Sequence, residues 1–110
     1  MPRQFQSSLK TLFELAFLPA ALKEWNRLDK AIRVQFLKKL EKLQTNPRIP
    51  SMKLRDYPDC YRVKAKKAGY RLVYHVSDLR ITITVLRTAR REQDEAYEGL
   101  LERLNLLDLT

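Results

Sequence analysis

Three basic side chains have spacings that would place them on one face of a β-sheet. Arg62 and Lys64 lie two residues apart in a segment where apolar and basic residues alternate. Residues two apart on a strand point to the same side, and pairing with the next segment would bring Arg71 to that side as well. Like charges so placed repel each other, which is tolerable only where they face water or an anion. The spacing therefore predicts an anion-binding site on this face.

Other side chains that commonly do chemistry are scarce. The chain has one histidine, His75, and one cysteine, Cys60. Nothing in the sequence pairs the two, so Cys60 is interpreted as a small buried side chain and His75 as a weaker candidate than the basic residues. One histidine, one cysteine and scattered acids do not make a convincing metal site, and we expect none. Charge stabilisation must then come from basic side chains.

The positive charge is concentrated in one stretch of the chain. The formal charge is +9, from 22 basic and 13 acidic residues. Residues 53–91 hold eleven of the basic and three of the acidic residues, a net charge of +8. Self-repulsion of this kind does not help folding, so a polyanionic partner is its natural explanation. A basic surface kept for solubility is the alternative, but confinement to one segment favours nucleic acid.

The first half of the chain predicts a strand followed by two helices. Leu12–Leu18 is interpreted as a buried strand, and Pro19 suits the first turn of a helix that ends near Leu28. Asp29 can cap a second helix that runs through Thr45. The apolar residues of this second helix recur at helical spacing and give it one buried face: Ile32, Phe36, Leu40 and Leu43. The two helices predict a hairpin that covers one face of a sheet.

From Met52 onward the apolar period changes to two, which is typical of strands. Residues 61–66, 70–76 and 81–86 predict an antiparallel meander of three strands. A closing helix from about Gln93 carries apolar residues at helical spacing: Tyr97, Leu100, Leu101 and Leu104. The predicted fold class is α+β in the order β-α-α-β-β-β-α, an antiparallel sheet with its helices on one face.

Length and composition predict one domain spanning residues 1–110, in which residues 1–10 form a loose N-terminal extension. A single cysteine favours a reducing, cytoplasmic location over secretion. The apolar run near the N terminus contains Glu14 and is too short to cross a bilayer, so no membrane partner is expected.

Six short motifs form a pattern that extends over most of the chain. They are Ala21-Leu22-Lys23-Glu24-Trp25, Asn46-Pro47-Arg48-Ile49, Lys53-Leu54-Arg55, Pro58-Asp59-Cys60-Tyr61-Arg62-Val63-Lys64, Gly69-Tyr70-Arg71-Leu72-Val73-Tyr74, and Arg90-Arg91-Glu92 followed by Tyr97. Together they resemble the RelE family of bacterial toxin–antitoxin systems. The resemblance covers roughly Phe13 to Tyr97, and the fold that it implies agrees with the one predicted from the pattern of apolar residues.

The resemblance also implies an activity and its partners. RelE-like toxins cleave messenger RNA in the decoding site of the ribosome, without a metal or cofactor, and a cognate antitoxin of the RelB type holds them inactive. Carried over by position, the family's functional residues fall on Arg62, Lys64, Arg71, Arg91 and Tyr97. The first of these is often lysine in the family. Arginine keeps the charge there but cannot act as a base at ordinary pH.

These residue types suit cleavage by the ribose 2′-hydroxyl, which leaves a 2′,3′-cyclic phosphate. We expect Arg71 to clamp the phosphate, because a planar guanidinium can bind two of its oxygens. Lys64 is the expected proton acceptor, since its basic neighbours Arg62 and Lys66 favour its neutral form. Arg91 would stabilise the leaving oxygen, and Tyr97 would stack on a base or orient the phosphate. Further basic residues of the same segment are expected to bind RNA: Lys53, Arg55, Lys66, Lys67 and Arg90.

Two other functions are compatible with the sequence. ParE-like toxins resemble this architecture but poison DNA gyrase and cut no RNA; the set of Lys64, Arg71, Arg91 and Tyr97 argues against that target. A non-catalytic RNA-binding or ribosome-binding module would also account for the charge. An inhibitor is expected in either toxin class, and an acidic antitoxin segment that folds on binding would complement the basic toxin.

Overall fold

The computed structural model describes residues 11–65, 67–90 and 97–107. In that part of the chain, four strands form one sheet: β1 (Glu14–Phe17), β2 (Cys60–Ala65), β3 (Tyr70–Ser77) and β4 (Thr82–Arg90). Three α-helices accompany them: α1 (Pro19–Asn26), α2 (Lys30–Leu43) and α3 (Leu100–Leu107). A short 3-10 helix lies at Pro50–Met52. The predicted element order is confirmed, and the predicted extension at residues 1–10 lies outside the described residues.

The helical hairpin forms as predicted, with shorter helices. Helix α1 begins at Pro19 but ends at Asn26, and α2 ends at Leu43 rather than at Thr45. The main chain of Gln44, which follows α2, accepts from the Phe13 amide, and its side-chain amide donates to the Phe13 carbonyl. These bonds turn the chain out of the helix and tie it to the start of β1.

Asp29 occupies the N-cap position of α2, as predicted, but the expected side-chain cap is wrong. Its backbone is extended, and its carbonyl accepts from the amides of Ile32 and Arg33. Its side chain makes no capping hydrogen bond. The first hydrogen bonds of this helix therefore go to the main-chain carbonyl of Asp29, and its carboxylate caps none of the free amides.

The sheet is mixed, so the prediction of an antiparallel sheet holds only for the meander. The strand order is β1-β4-β3-β2. Strand β2 pairs antiparallel with β3, and β3 with β4, whereas β1 runs parallel to β4. A tight turn can join only antiparallel neighbours, while β1 reaches β4 through a long connection that includes the helical hairpin.

Strand β4 is longer than predicted and contains a bulge. It runs from Thr82 to Arg90, whereas the alternation of apolar residues predicted an end at Leu86. Opposite β3, Val73 pairs with Arg87 and Tyr74 pairs with Val85, so Leu86 is the extra residue. The bulge and Arg87 interrupt the apolar alternation, which is why the prediction stopped there.

The main core lies between the sheet and the helical hairpin. Trp25 of α1 makes an edge-on contact with Phe17 of β1, with ring centroids 5.1 Å apart. It also lies 6.4 Å from Phe36 of α2. The four residues predicted to form the buried face of α2 are all buried: Ile32, Phe36, Leu40 and Leu43. This face of the hairpin is confirmed.

Helix α3 covers the other face of the sheet, so the prediction of helices on a single face is wrong. Its Leu104 and Leu107 line a cleft together with Ala16, His75 and Thr84 of the sheet. Thr84 is the register partner of both Ala16 and His75, so these three residues share a face. Phe17 follows Ala16 in β1 and points toward α1 instead. The hairpin already covers one face, and the apolar side of α3 packs on the remaining one.

The sequence predicted Tyr97 on the apolar stripe of the last helix, but this residue lies ahead of α3. The helix begins at Leu100, and Gly99 before it has φ +66°. This conformation favours glycine and interrupts a right-handed helix. The predicted start near Gln93 falls outside the described residues. Within residues 11–65, 67–90 and 97–107, no helix combines the length and apolar character that a membrane span requires.

Candidate functional site

The basic residues predicted to share a face of the sheet do so. Lys64 of β2 is the register partner of Arg71 of β3. Arg62 is the partner of Val73 in the same pair of strands and therefore lies on the same face, two residues before Lys64. Arg62, Lys64 and Arg71 are all half-buried. The hairpin thus concentrates three cations on one surface, and the anion site predicted there stays a prediction.

Tyr97 joins this surface from the segment before α3. Arg62 donates a hydrogen bond from Nη1 to the Tyr97 hydroxyl, at 2.6 Å. The guanidinium carbon of Arg71 lies 5.9 Å from the centre of the Tyr97 ring, within the range of a cation–π contact. Arg62, Lys64, Arg71 and Tyr97 are called the basic cluster below. Four of the five predicted catalytic residues therefore lie together, whereas Arg91 lies outside the described residues.

Helix α2 contributes a lysine that the sequence analysis did not single out. Lys39 donates from Nζ to the main-chain carbonyl of Lys64, at 2.5 Å. Beside it, a groove of about 570 Å³ runs between α2 and β2, and Lys39, Lys42, Arg62 and Lys64 line it together with apolar residues. Strand β2 is the edge of the sheet, so this groove opens next to the basic cluster. Only the tertiary packing of α2 on β2 brings Lys39 there.

Arg87 is a second residue that the sequence analysis missed as part of this surface. It is the register partner of Val73, which also pairs with Arg62, so Arg62 and Arg87 lie on one face with Val73 between them. The side chain of Arg87 is 17% exposed, and its Nη1 lies 3.6 Å from Oε2 of Glu24. Simple alternation continued from Val85 would have placed Arg87 on the opposite face, and only the bulge at Leu86 brings it to this one.

Glu24 and Arg103 form an ion pair beside the basic cluster. Arg103 of α3 donates from Nη1 and Nη2 to the two carboxylate oxygens of Glu24, each at 2.8 Å. Nη1 of Arg103 also donates to the carbonyl of Leu86, at 2.7 Å. The Thr88 amide donates to Oε1 of Glu24, at 3.2 Å. Helices α1 and α3 are thus joined at the bulge of β4.

The residues predicted to bind RNA outside the cluster are dispersed. Arg90 ends β4 and lies 5.7 Å over the ring of Tyr70, and Lys67 is exposed in the turn before β3. Lys53 is exposed but lies over the ring of Tyr61, whose side chain points away from the basic cluster. Arg55 is exposed in the loop before β2. Lys66 lies outside the described residues.

Neither Cys60 nor His75 belongs to the basic cluster. The Cys60 thiol is fully buried, and burial together with the nearby Asp59 raises its pKa to about 12. The thiol is therefore protonated at neutral pH and is a poor nucleophile. His75 pairs in register with Cys60 but lines the cleft beside α3. Among the described residues, no group of three or more histidine, cysteine or acidic side chains is placed to hold a metal ion.

The geometry of the basic cluster suits a phosphodiester. Lys64 and Arg71 project from neighbouring strands, so one phosphate can contact both cations. The Tyr97 hydroxyl is held by a charged donor, and its ring lies near a second guanidinium. These groups can bind an anion, stabilise charge that develops on it, and orient a base or a phosphate oxygen.

Comparison with known proteins identifies the family and agrees with this fold. Residues 15–95 match the family model described as the ParE toxin of the type II toxin–antitoxin system parDE. The mRNA interferase toxin RelE of Escherichia coli K12 is 42% identical over 90 residues, which is 82% of this chain and 95% of the relative. The chain therefore belongs to the RelE family of type II toxins, within the RelE/ParE superfamily.

Solved structures show the same relationship. A double arginine-to-alanine mutant of the E. coli toxin RelE in the free state superposes with a TM-score of 0.80 at 40% identity, covering 84% of this chain and 98% of that one. The toxin–antitoxin complex RelBE of E. coli matches with a TM-score of 0.71 at 42% identity, covering 74% of this chain and 99% of that one. The predicted resemblance is confirmed, and so is the predicted α+β fold class with its order of elements.

Proposed function

We propose that this protein is the toxin of a type II toxin–antitoxin system and cleaves messenger RNA in the ribosomal A site. The proposal is carried by one observation, the basic cluster: Lys64 faces Arg71 across two strands while Arg62 holds the Tyr97 hydroxyl at 2.6 Å. The identity to a relative named as an mRNA interferase supports the RNA as substrate.

Cleavage of RNA needs no external nucleophile, because the ribose 2′-hydroxyl adjoins the scissile phosphate. The protein must align that hydroxyl, accept its proton and stabilise the charge that builds on phosphorus. Arg71 clamps the phosphate through its planar guanidinium. Lys64 accepts the proton, since the other nearby cation on its strand, Arg62, cannot act as a base at neutral pH. The leaving 5′-oxygen takes up a proton from water, and protonated Lys64 returns its proton to the solvent. The products are a 2′,3′-cyclic phosphate and a free 5′-hydroxyl.

The remaining groups act on the leaving side and on the base. Arg62 keeps the Tyr97 phenol in place and adds positive charge near the phosphate. Tyr97 stacks on a base or orients a phosphate oxygen. Arg91 stabilises the leaving 5′-oxygen; we assign this role by family position, since Arg91 lies outside the described residues.

The surrounding charge serves binding to the message and to ribosomal RNA. We assign RNA contacts to the other basic residues predicted for this role because they belong to the basic segment 53–91: Lys53, Arg55, Lys66, Lys67 and Arg90. Phosphate contacts of this kind position a protein on RNA without reading its sequence. The substrate is the message on a translating ribosome, so the protein acts in the cytoplasm.

An acidic antitoxin of the RelB type holds the toxin inactive. The E. coli relative is known in a toxin–antitoxin complex. The net charge of +9 favours an acidic partner segment that folds as it binds. Co-expression with the adjacent small open reading frame should relieve growth arrest. Arrest that persists would reject that pairing.

Primer extension on messenger RNA from programmed ribosomes tests the activity. We expect new 5′ ends at the A-site codon with the native protein, and about a hundredfold slower single-turnover cleavage with Arg71→Ala, because a preorganised charge on the phosphate is lost. Arg27→Ala, an exposed arginine of the helical hairpin, is the matched control and should cleave normally. Ribosome binding without any new 5′ ends would instead indicate that the protein is a non-catalytic binding module.

Inhibition of DNA gyrase is a second candidate, because the matching family model is described by the ParE toxin. A supercoiling assay with purified gyrase separates the two targets. We expect supercoiling to be unaffected at toxin concentrations that cleave all of the ribosome-bound message. Inhibited supercoiling together with intact message would move the protein to the gyrase-directed class.

A further inference from the structure

The outer edge of β4 is covered by side chains where β1 ends. Strand β1 pairs with β4 only from Thr82 to Val85. Beyond that point, the carbonyl of Leu86 accepts from Arg103, and the amide of Thr88 donates to Glu24. Polar main-chain groups at a strand edge need partners, and here α1 and α3 supply them.

The Glu24–Arg103 pair has a geometry that its two parallel hydrogen bonds fix. Its two parallel bonds of 2.8 Å join a planar guanidinium to both carboxylate oxygens. The side chains are only 16% and 20% exposed, so water and salt weaken the pair less than they would on an open surface. The third bond of Arg103, to Leu86, attaches α3 to the bulge itself.

Arg103 is also close in sequence to the basic cluster. Its amide donates to the carbonyl of Gly99, which forms the turn before α3. Tyr97 precedes that glycine by two residues, and its hydroxyl accepts from Arg62. The first turn of α3 and the segment that carries Tyr97 are therefore attached to the sheet at two points, one at the bulge and one at Arg62.

We propose that Arg103 is a positioning residue for the cleavage reaction. By binding Glu24 and the Leu86 carbonyl, it fixes the start of α3 and so keeps Tyr97 in place over Arg62 and Arg71. The proposal rests on the proposed function. Displacement of a reacting group by about 1 Å can slow a reaction by up to about a hundredfold, which makes a residue remote from the phosphate matter.

A double-mutant cycle between Arg103→Met and Tyr97→Ala tests this role. We expect Arg103→Met to slow single-turnover cleavage by about tenfold or more in the native background, and by less than about twofold when Tyr97 is already alanine. Arg33→Met is the matched control, because Arg33 also donates to main-chain carbonyls, those of Leu28 and Asn26, but lies in the helical hairpin. It should not change the rate in either background.

Equal slowing by Arg103→Met in both backgrounds, or no slowing at all, would overturn the proposal. If Arg103→Met does not fold by circular dichroism, Glu24→Gln replaces it in the cycle, because it removes the charge of the same pair with little change of volume. The same two outcomes then decide.

A measurement independent of cleavage separates this proposal from the proposed function. Hydrogen exchange and the NMR signals of the Tyr97 ring are compared between the native protein and Arg103→Met. We expect faster exchange over residues 100–107 and shifted ring signals. If the native protein cleaves nothing, the proposed function fails, and unchanged exchange and ring signals would then overturn the positioning role as well.

Discussion

Tyr97 lies between two guanidinium groups that contact different parts of its side chain. Arg62 binds its hydroxyl, whereas Arg71 lies near the face of its ring. The hydrogen bond constrains where the oxygen lies, and the cation–π contact constrains the plane of the ring. Either contact could be the one that cleavage requires, and substitution can separate them.

We predict that Tyr97→Phe slows single-turnover cleavage by about tenfold and Tyr97→Ala by about a hundredfold. Phenylalanine loses only the charge-assisted hydrogen bond to Arg62, while alanine also loses the ring beside Arg71. Both rates are measured on programmed ribosomes, with Tyr57→Phe, a tyrosine of the loop before β2, as the control. A native rate for Tyr97→Ala would remove Tyr97 from the site.

Arginine at position 62, where a lysine would keep the same charge, limits what this side chain can do in proton transfer. A lysine at this position can lose its proton, but a guanidinium stays charged at any ordinary pH. In this protein Arg62 uses that charge to hold the Tyr97 hydroxyl. The proton transfer that we propose therefore falls to Lys64, whose main-chain carbonyl is tied to Lys39 of α2.

The elements that carry the cluster are fastened at the opposite end of the sheet by a second ionic network. Arg48, which follows α2, binds Asp59 before β2 and Asp78 after β3, each at 2.9 Å. It also donates to the Tyr61 hydroxyl, at 3.3 Å. Partial burial alone would lower the pKa of Arg48, but the hydrogen bonds to Asp59, Tyr61 and Asp78 outweigh it and raise that pKa. The network therefore keeps its cation at any working pH.

We predict that Arg48→Met lowers the free energy of unfolding by about 1 kcal/mol, because the ion pairs are partly exposed and screened by solvent. Urea denaturation at low salt measures the change, and Lys38→Met on the exposed side of α2 is the control. The rate of cleavage per folded molecule should stay native, since Asp78 lies seven residues along from Arg71, roughly 20 Å at strand rise. An unchanged denaturation midpoint would show that the network adds nothing to stability.

Local patterns were sufficient to predict some elements and not others. The alternation in β2 and β3 predicted the shared face of Arg62, Lys64 and Arg71, because period two depends only on neighbouring residues. Helix α3 is tied to the rest of the molecule by Arg103, which contacts Glu24, 79 positions away in the chain. No local sequence pattern predicts a contact between residues so far apart in the chain.

The end of β4 was missed for a related reason. A half-buried arginine in a strand contradicts apolar alternation unless a partner is present, and the partner of Arg87 is Glu24 of α1. Lys39 likewise lies at the edge of the site only because α2 packs on β2. Contacts between distant segments therefore account for the part of the site that the sequence did not predict.

The charge of the entire molecule should control how it finds its substrate. Residues 53–91 carry +8 of the net +9, and the described part of this segment includes the strands of the basic cluster. Binding to RNA through phosphates releases counterions, so affinity falls steeply as salt rises.

We predict a linear fall of the logarithm of ribosome affinity with the logarithm of salt concentration between about 50 and 200 mM. Lys67→Gln should reduce the slope by about one, because it removes one phosphate contact. Lys30→Gln, at the start of α2 and outside the basic segment, should leave the slope unchanged. Equal slopes for the native protein and Lys67→Gln would exclude Lys67 from the RNA interface.

In the proposed mechanism, a basic site without a metal lets a ribose hydroxyl attack its own phosphodiester. This mechanism is tested most directly with a message that carries a single 2′-deoxynucleotide on the 5′ side of the cleaved bond, placed in the A site of programmed ribosomes. We predict that this bond stays intact, while the all-ribose message is cut and ends in a 2′,3′-cyclic phosphate. Cleavage of the deoxy-substituted bond at the native rate would contradict the mechanism.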